Sequence, residues 1–314
     1  MKLPEFIDVK SAAERIRTFI HQTPVLTSQS INEIAGAKLY FKCENFQKAG
    51  SFKMRGASNA VFSLPDEKLL NGVATHSSGN FAQALALAAG KRNITSYIVM
   101  PDTSPKAKSD AVRSYGGKII FCEPTLEARE ATLNKIVDET GAVFIHPYNQ
   151  YDVIAGQGTA ALELINEAGE LDAIFAPVGG GGLLSGTSIT TKHLLPNAKI
   201  IGGEPMGADD AFRSLLKGEI LPSINPKTIA DGLLTSLGSL TFPILRKNID
   251  CIVTVSEEEI IYAMRLIWER MKIIVEPSAA VSLAAALQIR YTLSKKKIGI
   301  ILSGGNLDLN NLPW

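Results

Sequence analysis

The sequence has few of the residues that build disulfide frameworks or zinc sites. Of its 314 residues only three are cysteines, namely Cys43, Cys122 and Cys251. They are odd in number and far apart, and no two of them form a C-x-x-C pair. This pattern argues against a disulfide scaffold or a zinc centre, and it favours a reducing compartment.

An excess of one charge and long apolar stretches are also missing. With 32 basic and 31 acidic residues the formal net charge is +1, so nucleic acid and anionic membranes are not expected as main partners. The apolar runs are too short to cross a bilayer. Pro4 and Glu5 interrupt the start of the chain, which therefore does not read as a signal peptide. We expect a cytoplasmic protein.

Short apolar segments alternate with segments of helix length. Strands are predicted at residues 73–76, 97–100, 118–122, 143–146, 173–178, 199–201, 252–255 and 298–302. Predicted helices include residues 81–89, ending at Gly90, and 126–139, ending near Gly141, because glycine suits a C-cap with positive φ. Near-continuous apolar strands suit parallel sheets that are covered on both faces. The pattern predicts an α/β chain with two doubly wound parallel-sheet domains and a ligand at the carboxyl ends of the strands.

Lys53 is the residue that most strongly suggests chemistry. It follows Gly50, Ser51 and Phe52, and Ser51 is predicted to N-cap a helix that starts at Phe52. The helix dipole opposes a positive charge in the first turn, and together with partial burial it lowers the pKa of an amine and favours Schiff-base chemistry. A lone lysine is more often a surface residue, so the signal from this residue alone is weak.

Three glycine-bearing turns follow predicted strands and are candidates for holding an anion near Lys53. They are Ser77-Ser78-Gly79-Asn80, Gly179-Gly180-Gly181-Gly182 and Ser303-Gly304-Gly305-Asn306. The N–H groups at a helix start attract anions, but a plain turn explains the first and the third about equally well. Four consecutive glycines cost more backbone entropy than a simple turn requires, which favours phosphate binding at the second.

The run of glycines fits neither of two common nucleotide motifs. The third glycine of a G-x-G-x-x-G fingerprint would fall on Leu184 or Ser185, and Thr187 stands where a Walker motif has lysine. A phosphate-bearing cofactor other than a nucleotide remains, and the nearby lysine suggests a phosphorylated aldehyde. We therefore interpret the chain as an enzyme.

On these motifs the chain resembles the fold-type II pyridoxal phosphate enzymes, and among them the branch of serine racemases and serine/threonine dehydratases. The resemblance covers nearly the whole chain and includes, in order, residues 50–53, 76–80, 156–159, 179–182, 229–232, 276–278 and 303–306. It implies a tryptophan synthase β-like fold with the cofactor in an interdomain cleft. Residues 1–70 and 149–314 are expected to form a large domain that binds pyridoxal 5′-phosphate, and residues 71–148 a small mobile domain.

The resemblance also implies roles for single residues. Lys53 would form the Schiff base and act as the base on one face of the substrate, with the Ser78 hydroxyl on the opposite face. Asn80 would bond the 3′-oxygen of the cofactor, and Ser303 would face its pyridine nitrogen. The cofactor phosphate would be bound by Gly179, Gly180, Gly181, Gly182 and Leu183, and the substrate carboxylate by Ser77, Ser78, Gly79 and Asn80.

A divalent-cation site is implied in the same way. Glu204, Asp210 and the backbone carbonyl of Ala208 match the site of the racemases, and such oxygen ligands suit Mg²⁺ or Ca²⁺. By spacing alone, the two acids read as ordinary surface residues. A homodimer and a nucleotide effector are expected from the family as well.

The implied activity is dehydration of L-serine or L-threonine to a keto acid and ammonia. Serine racemisation with side elimination and threo-3-hydroxyaspartate ammonia-lyase activity are the alternatives. β-Replacement, as in cysteine synthases, is a rival within the class, and a non-catalytic cofactor-binding protein is a rival outside it.

Two positions depart from the pattern of the branch, and the end of the chain differs from that of biosynthetic threonine dehydratases. Ala49 replaces the usual threonine, which bears on the expected nucleotide effector site. Phe81 replaces a common histidine and predicts a more apolar pocket wall. The chain ends at Trp314, so we expect none of the feedback inhibition that biosynthetic threonine dehydratases exert through a C-terminal regulatory domain.

Overall fold

Two sheets share the strands of the chain. The computed structural model describes residues 2–314, apart from the side chain of Ala107. The strands are β1 (Val25–Leu26), β2 (Lys38–Cys43), β3 (Val73–His76), β4 (Ser96–Pro101), β5 (Lys118–Cys122), β6 (Val143–Phe144), β7 (Ala173–Pro177), β8 (Lys199–Pro205), β9 (Cys251–Val255) and β10 (Lys297–Leu302). The six-stranded sheet has the order β1-β2-β10-β7-β8-β9 and the four-stranded sheet the order β5-β4-β3-β6. Apart from β1, which runs antiparallel to β2, the paired strands are parallel.

Helices cover both faces of the two sheets. They are α1 (Phe6–Ile16), α2 (Gln29–Ala35), α3 (Lys53–Ser63), α4 (Asp66–Leu69), α5 (Asn80–Lys91), α6 (Lys106–Ser114), α7 (Leu126–Thr140), α8 (Tyr151–Ala168), α9 (Gly182–Leu194), α10 (Asp210–Lys217), α11 (Thr241–Asn248), α12 (Glu257–Leu266) and α13 (Pro277–Gln288). The apolar residues of α12 and α13 form one core with β2, β7 and β10, and those of α8 and α9 help to form a second core. The predicted α/β architecture with two parallel sheets is confirmed.

The strand predictions were wrong for β6, β1 and β2, which lack a long uninterrupted run of apolar residues. Strand β6 ends at Phe144, two residues before its predicted end. Strands β1 and β2 were missed, since β1 has only two residues and lysines begin and interrupt β2. Lys42 in β2 is nevertheless fully buried, because its amine is paired with the carboxylate of Glu163.

The two predicted glycine caps differ in outcome. Gly141 ends α7 in the left-handed region with φ 71°, as predicted. Gly90, however, lies inside α5, which continues to Lys91, so this prediction was wrong. Asn93, with φ 56°, takes the left-handed conformation instead. Asparagine tolerates that region, so the chain can reverse three residues later than the glycine suggested.

No helix within residues 2–314 is both long enough and apolar enough to cross a membrane. The segment after α10, residues 219–230, contains neither helix nor strand.

Candidate active site

Lys53 lies where the two sheets approach each other. It is the first residue of α3, and its Nζ is 5.6 Å from the ring centre of Phe81 at the start of α5. Its amine donates a hydrogen bond of 3.0 Å to the backbone carbonyl of Pro147. Although the residue as a whole is only partly buried, desolvation of the amine lowers the pKa of Lys53 from 10.5 to about 8, against the opposing effect of the Glu276 charge. The lysine can therefore supply a neutral amine near neutral pH.

The predicted N-cap role of Ser51 was wrong. The N-cap residue of α3 is Phe52, and the helix has no side-chain cap. Ser51 has extended backbone angles and forms a bridge to Gly304, while the N–H of Phe52 donates to the carbonyl of Ser303 at 2.9 Å. Because Ser51 is part of this long-range pairing, its buried hydroxyl does not reach the helix start. The pairing places Ser303, just after β10, beside the lysine.

The glycine run forms a buried turn between β7 and α9. An added Cβ at Gly180 would lie 2.4 Å from a ring carbon of Tyr148, and one at Gly179 would lie 2.9 Å from Cα of Leu233. Gly181 has φ +87°, a left-handed conformation that favours glycine. These residues need glycine because other parts of the protein pack so closely against them.

The same turn presents unpaired donors. Within the described chain, the N–H groups from Gly179 to Leu183 have no hydrogen-bond acceptor, although these residues are buried. Gly182 is the first residue of α9, so the helix dipole adds positive potential at this point. Buried N–H groups without acceptors are rare in proteins, and an anionic group such as a phosphate satisfies them.

The turn at residues 77–80 is built differently. It links β3 to α5, and all four of its residues are partly exposed. An added Cβ at Gly79 would meet no atom within 4 Å, and α5 has no side-chain cap. Ser77 accepts a long hydrogen bond of 3.4 Å from the N–H of Gly79, whereas the Ser78 hydroxyl has no partner among residues 2–314. The space beside the turn is open and its helix start is available to an anion.

Asn80 joins this turn to the six-stranded sheet. Its Nδ2 donates to both carboxylate oxygens of Glu276, each at 3.0 Å, and its Oδ1 accepts from Asn306 Nδ2 at 2.9 Å. Asn306 also donates to the carbonyl of Ala49 at 2.8 Å, in a segment where Ala49 has φ 56°. Burial raises the pKa of Glu276 to about 7, although the bond from Asn80 opposes that effect.

Phe81 is the first buried apolar residue of α5, and its ring lies beside Lys53. It therefore forms an apolar wall next to the amine. The side chain is 1% exposed and belongs to the core formed by α3 and α5. Histidine at this position would bring a polar ring into the same apolar core.

The residues of the expected cation site also lie together. Both carboxylate oxygens of Glu204, at the end of β8, accept hydrogen bonds of 2.8 Å from the N–H groups of Ala211 and Phe212. Ala208 and Asp210 are buried just before and at the start of α10. Burial raises the pKa of Glu204 to about 8 and that of Asp210 to about 6. Residues 2–314 contain no group of three or more His, Cys, Asp or Glu side chains arranged to hold a metal ion.

Several residues that shape the site have no role that the sequence alone reveals. Glu276 and Asn306 fell within recognised motifs, so their positions were visible but their contact with Asn80 was not. Tyr148 and the carbonyl of Pro147 carried no local signal. Asn149 follows them and accepts a hydrogen bond of 2.8 Å from the N–H of Leu240.

The residues present fit pyridoxal phosphate. A lysine amine of lowered pKa suits a covalent bond to an aldehyde, and a buried turn with unpaired N–H groups suits a phosphate. The open turn just before Phe81, which borders the lysine, leaves space for an amino acid. This arrangement can hold such a cofactor and move a proton beside it.

Comparison with known proteins agrees with this geometry. Residues 16–304 match the family described as pyridoxal-phosphate dependent enzyme. The chain is 55% identical over 309 residues to a serine racemase of Dictyostelium discoideum, covering 97% of this chain and 95% of that protein. It is 50% identical over 314 residues to a beta-hydroxyaspartate dehydratase of Paracoccus denitrificans, covering 100% of each.

A solved structure extends the similarity to a third activity. The processed form of threonine deaminase isoform 2 from Solanum lycopersicum is 34% identical to the chain, with a TM-score of 0.92. The alignment covers 97% of this chain and 89% of that chain. On the family match and these relatives, the chain belongs to the pyridoxal-phosphate dependent enzymes of fold type II.

Proposed function

We propose that this enzyme dehydrates β-hydroxy amino acids, L-serine or L-threonine, to a keto acid and ammonia. The observation that carries the proposal is the Lys53 amine, with a pKa of about 8 and its Nζ 5.6 Å from the ring centre of Phe81, the residue that directly follows the open Ser77–Asn80 turn. Serine racemisation is a second activity of the same residues. The full-length similarity to a beta-hydroxyaspartate dehydratase favours 3-hydroxyaspartate as a further candidate substrate.

The proposed cofactor site uses both sides of the lysine. Lys53 would hold pyridoxal phosphate covalently until the amino group of the substrate takes its place and frees the lysine amine. The N–H groups from Gly179 to Leu183 would bind the phosphate, Asn80 would bond the 3′-oxygen, and Ser303 would lie at the pyridine nitrogen. When bound, the cofactor supplies an electron sink that stabilises negative charge at the substrate Cα. The buried Gly179–Leu183 N–H groups support the phosphate assignment, since they have no other acceptor in the described chain.

Two groups of the protein handle protons on opposite faces of the substrate. The neutral Lys53 amine takes the Cα proton on one face, and the Pro147 carbonyl, 3.0 Å from Nζ, holds the resulting ammonium by a charge-assisted hydrogen bond. The N–H groups of the Ser77–Asn80 turn bind the substrate carboxylate. Ser78 then delivers a proton on the other face when the product is the D-amino acid. If the β-hydroxyl leaves first, as water, the enamine that is released takes up water and yields the keto acid and ammonia.

The proposed cation site stays with Glu204, Asp210 and the carbonyl of Ala208. One observation supports it. Oδ2 of Asp210 is buried without a hydrogen-bond partner among the described residues, and such an oxygen suits Mg²⁺ or Ca²⁺. A chelator followed by addition of either ion tests it: stability and activity should fall and return in the wild type but not in Asp210→Asn. Equal behaviour of the two proteins contradicts the assignment.

Further parts of the proposal concern assembly and motion. We propose residues 71–148 as a small mobile domain, since β3 to β6 lie within it. The polar contacts that join it to the rest include an ion pair between Lys108 and Asp231. A homodimer, a nucleotide effector and a cytoplasmic location complete the proposal. Light scattering at several protein concentrations tests the dimer, and activity with and without ATP tests the effector.

The deciding experiment is an incubation of the purified protein with pyridoxal phosphate, Mg²⁺ and L-serine, in which pyruvate and D-serine are quantified together. Pyruvate supports the dehydratase, and L-threonine and 3-hydroxyaspartate then rank its substrates. D-serine supports the racemase. Absence of both products, with cysteine formed when sulfide is supplied with an activated serine, contradicts the proposal and establishes β-replacement.

A further inference from the structure

A buried ionic cluster lies behind the active-site lysine and has no place in the chemistry above. Its centre is Arg55, whose side chain is fully buried. The guanidinium donates to both oxygens of Glu44, at 2.7 and 2.8 Å, and to both oxygens of Glu163, at 2.8 and 2.7 Å. It also donates to Thr159 Oγ1 at 3.1 Å. Lys42 adds a third bond to Glu163, of 2.6 Å.

The cluster joins three elements at one point. Arg55 belongs to α3, Glu163 and Thr159 to α8, and Glu44 follows β2 directly. Burial alone would raise the pKa of Glu44, but the Arg55 guanidinium lowers it, so the pair stays ionised. Burying four charges is expensive, and apolar residues of similar volume often stabilise a fold as well. We therefore explain the cluster by the fixed relative positions that it gives to α3, α8 and the end of β2.

Arg55 is two residues after Lys53 on the same helix. At 3.6 residues per turn, the two side chains leave the helix axis about 200° apart, so they point to nearly opposite sides. The Lys53 amine reaches the Pro147 carbonyl, while Arg55 reaches Glu44 and Glu163 inside the protein. The first turn of α3 lacks a side-chain cap that would otherwise fix it. The Arg55 guanidinium makes two charged hydrogen bonds to Glu44 and two to Glu163. These bonds resist rotation of the helix about its axis, because a rotation would break all four of them.

We propose that Arg55 is a positioning residue for the Lys53 amine. A rotation of α3 by roughly 10° moves an atom at the helix surface, about 6 Å from the axis, by about 1 Å. A displacement of that size at a reacting group can cost roughly 100-fold in rate. Arg55 sets this rotation, and so sets where the amine meets the cofactor aldehyde and the substrate. The inference rests on the proposed function of Lys53.

The test compares the two ends of α3. Arg55→Lys keeps the charge but loses the planar fork. The control is Arg92→Lys, because Arg92 holds the far end of the helix by bonds to the carbonyls of Val61 and Leu64, at 2.6 and 2.7 Å, and by an ion pair with Asp66. For each protein we would measure Tm, kcat and KM with L-serine. We would also measure the rate at which added pyridoxal phosphate becomes attached to Lys53, trapped by borohydride and located by mass spectrometry.

We expect Arg55→Lys to slow both attachment and kcat by about 100-fold with little change in KM. Arg92→Lys should lower Tm but leave attachment and kcat within about threefold of the wild type, since position 92 is remote from the amine. Equal losses in the two variants, or normal attachment in Arg55→Lys, overturn the proposal.

A milder variant covers the case in which Arg55→Lys does not fold. Glu163→Gln keeps the shape of the side chain at a position whose side chain is 19% exposed, and it weakens one half of the fork. About a tenfold loss in the attachment rate is expected there, and a normal rate contradicts the proposal. If the wild type itself attaches no cofactor at Lys53, the proposed function fails instead.

Discussion

The turns at residues 77–80 and 179–182 occupy the same place in the order of strand and helix, but they are packed in opposite ways. Both follow a parallel strand, both contain glycine, and both end at the start of a helix. The turn at residues 179–182 is buried, and protein atoms closely pack Gly179, Gly180 and Gly182. The turn at residues 77–80 is partly exposed, and Gly79 faces open space.

This difference separates a fixed site from an adaptable one. Tight packing holds the N–H groups of the 179–182 turn in one arrangement, which suits a cofactor that stays bound. A turn with open space beside it can admit substrates and release products. The polar bonds of the second turn to the other side of the site run through Asn80, which contacts Glu276 and Asn306. Substitutions in the two turns should therefore act on different measured quantities.

Removing the lysine should have the largest effect. Lys53→Ala removes both the covalent attachment and the proton acceptor, so turnover of L-serine should fall by at least about 10⁴-fold. Borohydride should trap no cofactor on the variant, while non-covalent binding by the 179–182 turn persists. Turnover near the wild-type rate in this variant would remove the basis of the mechanism.

Ser78→Ala should show that the open turn carries chemistry. Loss of its hydroxyl should lower D-serine formation by about 100-fold while pyruvate formation continues, because only reprotonation on that face needs it. Ser77→Ala is the matched control, since the Ser77 hydroxyl contacts the N–H of Gly79. Parallel loss of both products in Ser78→Ala, or of D-serine in both variants, contradicts this assignment.

The lowered pKa of the lysine should be visible in the stability of the cofactor-free protein. Between pH 8 and 10.5 the folded protein binds fewer protons at Lys53 than the unfolded chain does, so stability from this group rises with pH. The depression of the pKa corresponds to a penalty of about 3 kcal/mol below pH 8, which disappears above pH 10.5. Lys53→Met should therefore be more stable than the wild type at pH 7 in urea unfolding, with the difference shrinking by pH 10. A difference independent of pH contradicts the lowered pKa.

Gly180→Ala should damage the fixed turn. The new methyl group would lie 2.4 Å from the Tyr148 ring, so either the ring or the turn has to move. We expect a loss of about 1–3 kcal/mol in unfolding free energy, as for other overpacked sites, and weaker cofactor binding. Tyr148→Ala combined with Gly180→Ala should recover part of the cofactor affinity. Wild-type affinity in the single variant would mean that the turn is less constrained than its packing indicates.

The same substitution in the other turn should have the smallest effect on the fold. In Gly79→Ala the methyl group meets no atom within 4 Å, so Tm and cofactor attachment should stay near those of the wild type. KM for L-serine should rise by about tenfold if the added methyl group occupies space that the substrate needs. An unchanged KM would place the substrate elsewhere, and a large drop in Tm would remove the contrast between the turns.

Much of this arrangement was readable in the sequence. Apolar strands alternating with helices predicted two parallel sheets, and the glycine turns were correctly placed after β3, β7 and β10. The prediction that Lys53 lies in a first helical turn was confirmed. These features follow from local order along the chain: hydrophobic period, helix starts and the position of glycine. The sequence explained the glycines of the 179–182 turn only in part. It suggested phosphate binding, but several of these residues must also be glycine because other parts of the protein pack closely against them.

Tertiary structure alone decided the rest. Ser51 pairs with Gly304 instead of capping α3, and β2 hides a buried lysine that no apolar pattern reveals. Lys53 bonds to a carbonyl 94 residues away, and Asn80 to a carboxylate 196 residues away. A pKa depends on which groups surround an amine and how far water is excluded, and both are set by packing between distant segments. The sequence determined the family and the turns, while folding determined their partners, their burial and their charge.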